Sequence, residues 1–482
     1  IVQRYREERG HGLDNLAAIT RAGGTASRAV LFSGVAVAIA LAGMFIIPFD
    51  IFRSLAIGAI LVVVAAVAAA LTLLPAILSL LGDRVNALPV PLLGRGQPGA
   101  GVGTIWSGVI RVVTRRPVLS VGLTTAGLAA VAAFFFTINL GANGIDTFPE
   151  DNDFRHALTV VNAQFSDGVS SANIVIEAEA DSAGLASAIA ALEALLEADP
   201  IFGERLVRRS AEAGLTVIVA TLTVDPTSAE AEDAIGRLRG SYLPQAFASV
   251  EARVLVGGDA AEIIDAVDVV TTYLPLVFAF VLGLSFLLLL VVFRSIVVPI
   301  KAVLMNLLSV GAAFGLLVLV FQEGVGTGLL GFQRTPTIEF WIPLFLFSIL
   351  FGLSMDYHVF MLSRIKERFD ETQDNSEAVA FGLGSTGAII TGAALIMVAV
   401  FGGFAAGELV FFQQLGFGLG VAIILDATIV RLVLVPAAME LLGARNWYFP
   451  SWLEWLPRIQ IEGQPLPPPS VPDAPAPSSS GD

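Results

Sequence analysis

Eight stretches of predominantly apolar residues dominate the chain, at approximately 29–49, 55–81, 117–140, 272–293, 297–321, 340–362, 386–407 and 412–442. Each is long enough to cross a hydrocarbon core about 30 Å thick, which takes about 20 helical residues. Backbone amides in hydrocarbon must be satisfied internally, so continuous apolar runs of this length predict a polytopic α-helical membrane protein of about eight transmembrane helices. Composition agrees: 55% of the 482 residues are hydrophobic and 14% charged, where soluble domains carry about 25% charged residues. A soluble protein is excluded.

The formal charge of −15 is local. Between Asn139 and Val270 there are 22 Asp/Glu against 7 Lys/Arg, which accounts for the whole imbalance. Acidity of this kind speaks against nucleic acid, which needs a basic surface. Assigning the spans alternately to the two sides puts 17 of the 27 Lys+Arg on one side, Lys301 at the start of a helix among them. The short loops opposite hold only Arg53 and Arg334. Positive short loops mark the cytoplasmic side, so the acidic segment is expected outside and both chain ends inside. The domain reading is a cytoplasmic loop at 1–28, two helices at 29–81, a linker at 82–116, a helix at 117–140, an extracytoplasmic domain at 141–270, five helices at 272–442 and a cytoplasmic tail at 443–482. The Pro- and Ser-rich residues from about 464 are too poor in apolar surface to fold.

The outer segment reads as α+β. Strand candidates at 170–180, 215–224 and 252–258 alternate apolar residues, and helical spacing holds over 182–200 and 227–239. Strand–helix–strand order predicts a ferredoxin-like layer.

An internal repeat runs through the membrane part. QRYREER (3–9) matches SRIKERF (363–369), and TASRAVLFSGVAVAIALAG (25–43) with LTLLPAILSLLGDR (71–84) matches STGAIITGAALIMVAVFGG (385–403) with LVLVPAAMELLGAR (432–445). Repeated helix sets characterise secondary transporters, whose sites lie between the repeats. The segments FRSIVVPIKAVLMNLLSVGAAFGLLVLVFQ (293–322), GLSMDYHVFMLSRIKERF (352–369) and LGFGLGVAIILDATIVRLVLVPAAMELLG (415–443) closely resemble the second half of MmpL-type transporters of the resistance-nodulation-division superfamily. The resemblance covers nearly all of the chain up to Leu456. It implies two halves of six helices, each with an outer porter domain after its first helix. Ile1 in place of an initiator Met then predicts that the first porter domain, four helices and their Asp-Tyr motif precede this sequence.

Carboxylates inside membrane helices cost about 2.5–3.5 kcal/mol to insert, so they default to functional candidates. Asp356 and Asp426 are the two. The resemblance makes Asp356-Tyr357 the proton-relay motif and counts Asp426 and Arg431 among the functionally sensitive positions. On an α-helix Asp426 and Arg431 stand roughly 140° apart and are not expected to pair squarely. A snorkelling Arg with a balancing Asp is the plainer alternative. His358 titrates near neutrality but stands about 100° from Tyr357. Arg4 and Arg364 are repeat equivalents suited to helix C-termini. Ser33 and Thr391 align in the repeat and could hydrogen-bond the Asp-Tyr cluster, although packing is the commoner role of such residues.

No cysteine is present and the three histidines, His11, His156 and His358, have no metal-ligand spacing, so no metal or cofactor is expected. No phosphate-binding loop of the G-x-x-x-x-G-K-[ST] kind occurs, and energy must come from a gradient or a partner. The leading expectation is a non-enzymatic, proton-driven exporter of a lipid or other hydrophobic small molecule, with protons and the membrane as partners and a homo-oligomer as one source of a second Asp-Tyr pair. The competing classes are a non-transporting lipid or sterol receptor and an auxiliary of protein translocation.

Overall fold

The computed structural model describes residues 1–10, 12–87, 113, 115–164, 170–178, 184–210 and 214–456. The stretches expected as a linker beyond 87 and as an unfolded tail from 464 lie outside the described residues, as does His11.

In chain order, α1 (Val2–Gly10), α2 (Asn15–Ala42), α3 (Asp50–Leu71) and α4 (Leu73–Leu81) form the first block, and α5 (Pro117–Ala132) follows. Much of the segment at 1–28 is helical, and Asp14 caps α2 by accepting from Ala17 N at 2.7 Å. The extramembrane part then runs through β1 (Leu140–Gly141), α6 (Asp153–Gln164), β2 (Ser171–Glu177), α7 (Leu185–Ala198), β3 (Phe202–Ser210), β4 (Leu215–Leu222), α8 (Ala229–Arg237) and β5 (Arg253–Gly257). The second block comprises α9 (Asp259–Phe293), α10 (Val297–Leu317), β6 (Ile338–Glu339), α11 (Ile342–Thr372), α12 (Asn375–Ala405), α13 (Val410–Leu425) and α14 (Val435–Leu442). Among the described residues eight helical segments are long and apolar enough to cross a membrane, one at each expected place.

The four-stranded sheet has the order β3-β4-β2-β5 with every neighbour antiparallel. That is the ferredoxin-like split βαβ, with α7 and α8 on one face around Ile174, Ile176, Leu192, Leu196 and Ile218. Strand β3 escaped the sequence reading because FGERLVRRS, on an exposed edge, carries a Glu and three Arg and lacks apolar alternation. Asp199 helps lock the unit: Arg237 Nη2 lies 2.7 Å and Tyr242 Oη 2.9 Å from its Oδ2. Helix α9 carries the chain from this core, where Ala260 and Ala261 are buried, into the bundle without a break.

Repeat symmetry shows in the polar contacts. Asp374 caps α12 as Asp14 caps α2, accepting from Glu377 N at 3.0 Å. Asn15 Nδ2 donates to the Ser79 carbonyl at 2.9 Å, and Asn375 Nδ2 to the Met439 carbonyl at 3.0 Å. Gly82 and Gly443 close both copies with φ of +50° and +53°, the left-handed side that glycine adopts without strain.

Helix α10 is deeply enclosed in the bundle core, and it lies close against α5. A Cβ on Gly315 would stand 1.9 Å from the Val131 carbonyl oxygen, so only glycine permits that approach.

Candidate functional site

The second block departs from α-helical winding where its charges sit. After α13 the chain winds as a π-helix over Asp426–Leu434, and Val435 N donates to the Val430 carbonyl five residues back. This winding brings residues five apart onto one face. Arg431 Nε and Nη2 therefore reach Asp426 Oδ2 at 3.0 and 2.8 Å. The expectation that these two side chains do not pair assumed α geometry, and the π segment overturns it. Pro436 follows Pro75 by 361 positions whereas Asp374 follows Asp14 by 360. The second copy thus holds one additional residue in this interval, which the wider π winding accommodates. The first copy has AAVAAAL (65–71) in the corresponding place, with neither acid nor base.

Arg431 is fully buried. Its Nη2 also donates to the Ser354 carbonyl and to Ser354 Oγ, the latter at 3.1 Å. The guanidinium carbon stands 4.8 Å from the centre of the Tyr357 ring, a cation–π contact. Ser354 Oγ lies 2.9 Å from Asn306 Oδ1 and 3.1 Å from Asp426 Oδ2. A hydroxyl has one proton, so Ser354 can donate to the amide or to the carboxylate, never to both at once. A small cavity opens beside these groups, lined by Asn306, Ser354, Tyr357 and Asp426 together with apolar residues of α10, α11 and α13. It is large enough to admit a water molecule. A second, apolar cavity lies between α2, α9 and α11, lined by Ala40, Leu288, Gly352 and Met355 among others.

The sequence-predicted residues divide around this centre. Tyr357, Asp426 and Arg431 come together in it. The Asp356 position follows Met355 on α11 and lies one turn beyond Gly352, which packs on Val37 of α2. Its side chain lies outside the described residues. His358 is completely buried, and its ring nitrogens have no hydrogen-bond partner among the described residues. Arg4 pairs with Glu8 at 2.8 Å and Arg364 with Glu367 at 3.0 Å, both partly exposed and apart from the centre. Thr391 donates to the Gly387 carbonyl of its own helix at 2.7 Å. The register of Asp14 with Asp374 matches Ser33 to Ala393 and Thr391 to Leu31, so the expected alignment of Ser33 with Thr391 is corrected by two positions. Ser33 lies half-buried in α2. Lys301, counted above among the basic residues of the cytoplasmic side, is buried, with Nζ 3.0 Å from Asn446 Oδ1.

Ser354 and Asn306 are the members that the sequence reading missed. A Ser and an Asn among Leu, Met and Phe are common in membrane helices. The available signal was Asn306 itself, an amide in the middle of a long apolar run.

Comparison with known proteins places the chain. The model of the MMPL family matches residues 1–120 and 146–467. The mycolic acid-containing lipids exporter MmpL11 of Mycolicibacterium smegmatis is 37% identical over 97% of this chain and 49% of its own length. The heme uptake protein MmpL11 of Mycobacterium tuberculosis is 36% identical over 97% and 48%. The trehalose monomycolate exporter MmpL3 of the same species is 30% identical over 94% and 51%. The chain thus spans about half the length of these curated relatives.

Proposed function

The chain belongs to the MMPL family, and from that premise we propose that it acts in a proton-driven exporter of a hydrophobic or lipidic molecule. The observation that carries the reading is the Arg431–Asp426 pair, buried mid-bundle, with Ser354 and the Tyr357 ring closing on it beside a water-sized cavity. Ionisable groups at such depth mark ion pathways, proton relays or counter-ions. In this account Asp356, next to Tyr357 on α11, takes the proton, and Asp426 with Arg431 senses the change through Ser354. Protonation alters which acceptor the Ser354 hydroxyl serves and so biases the packing of α11 against α10 and α13. Lipid as the transported class rests on the names that two of the relatives carry. Uptake of an apolar cofactor, which the tuberculosis relative's name suggests, favours the same apolar chemistry with the opposite direction.

The α+β domain is placed outside and both described ends inside, from the distribution of Lys and Arg. Reporters fused after Leu81 and Ser363 are expected to read cytoplasmic, and those between Leu185 and Asp225 external; an external reading at Ser363 would invert the whole assignment. For the energy source, a protonophore that collapses the pH gradient should stop labelled lipid from leaving cells within the time that ATP levels stay constant. Export that persists would remove protons from the account, and accumulation inside in place of release would favour uptake.

A further inference from the structure

Two helices bear the candidate relay, and their outer ends are tied to the segment that enters the α+β domain. Strands β1 and β6 form a parallel pair, Leu140 opposite Ile338 and Gly141 opposite Glu339, so the exit from α5 is hydrogen-bonded to the residues just before α11. Ile338 N donates to the Asn139 carbonyl at 2.8 Å and Phe340 N to the Gly141 carbonyl at 2.9 Å. The Glu339 carboxylate reaches back across the pair, where Oε1 accepts from Asn143 N at 3.0 Å and from Asn143 Nδ2 at 2.9 Å. On the other side, Gln414 at the start of α13 accepts from Glu339 N at 3.1 Å. Its Nε2 lies 3.2 Å from both Thr335 Oγ1 and the Thr337 carbonyl. Gln414 and Thr335 are almost fully buried. Burial pushes the Glu339 carboxyl above its ordinary range, against the opposing pull of Asn143.

We propose that this clasp, with Glu339 and Gln414 as its positioning residues, is the joint through which movement of α11 and α13 reaches the outer domain. The inference rests on the relay reading above. Its physical ground is that α11 carries Ser354, Asp356 and Tyr357, while α13 leads into Asp426 and Arg431. A shift between these two helices must therefore move Glu339 against Gln414, and the β1–β6 pair passes that displacement to residues 139–143. Helix α9 provides a second connection to the same domain and packs against β1. A domain held at two points turns when one of them moves. Coupling between distant sites is carried by such packed, hydrogen-bonded elements, and it counts as demonstrated only when a perturbation separates the two readouts.

The test measures proton influx under an imposed pH gradient and lipid export, both in the protein's own membrane and normalised to abundance. Glu339→Ala and Gln414→Leu are expected to keep proton influx within about twofold while export falls about tenfold, within the usual range of coupling energies. Glu339→Gln retains an oxygen that accepts from Asn143 and should keep both. Should Gln414→Leu fail to accumulate, the contrast between Ala and Gln at 339 decides alone. Influx and export that fall in parallel, or an Ala variant that exports normally, would overturn the joint. Asp426→Asn, run beside these, isolates the premise: wild-type influx and export in that variant would sink the relay reading, whatever the 339 pair shows.

Discussion

Arg431→Met should destabilise the protein more than any other single change in the cluster, by about 3–5 kcal/mol, because removing one partner of a buried pair leaves the other charge uncompensated. The guanidinium makes four polar contacts, to Asp426 through two nitrogens and to both oxygens of Ser354, and covers the Tyr357 ring. Among the described residues, Asp426 would be left with the Ser354 hydroxyl as its side-chain donor. Arg431→Lys should recover little, since an ammonium cannot reproduce the fork or the stacking. The thermal midpoint of the purified protein and its abundance in the membrane are the measurements. Adding Asp426→Leu to Arg431→Met removes the stranded carboxylate, and the double variant should regain much of the lost stability. If the double variant is the sum of its single changes, the pair is not coupled and the burial argument fails.

The fold was largely legible because hydrocarbon leaves so few choices. Runs such as 297–321 and 386–407 could only be membrane helices, and all eight were found near their expected places. The repeat was also legible, in QRYREER against SRIKERF and in the helix pairs that follow, whereas its matching caps Asp14 and Asp374 emerged only from the structure. Strand β3 was not, because edge position lets Arg205, Arg208 and Arg209 stand where an inner strand would carry Val or Ile. The site was legible in its charges and not in its geometry. Asp426, Arg431 and Tyr357 stood out as polar residues in apolar runs, but their convergence depends on a π segment, and no local composition signals where the winding changes. Ser354 and the Glu339–Gln414 clasp depend on contacts 48 to 196 positions apart in sequence, which no window of residues contains.

Asp356→Asn should abolish export, by about a hundredfold or more, at normal abundance. The amide keeps the size of the carboxyl but cannot bind and release a proton, and a ligand that cannot bind cannot shift the balance between two states of the bundle. Asp356→Glu keeps a carboxyl group but displaces it by one methylene, and only a trace of activity is expected. Normal abundance is expected for the Asn variant because the substitution conserves side-chain size and adds no charge.

The most direct measurement places the protein in sealed vesicles with a pH-sensitive dye inside, imposes a gradient, and follows dye response and labelled lipid together. For the wild type the account predicts lipid-dependent proton flux and gradient-dependent lipid movement. For Asp356→Asn it predicts neither. An Asn variant that moves lipid and protons as the wild type does, at equal abundance, would contradict the claim that this carboxyl group drives transport.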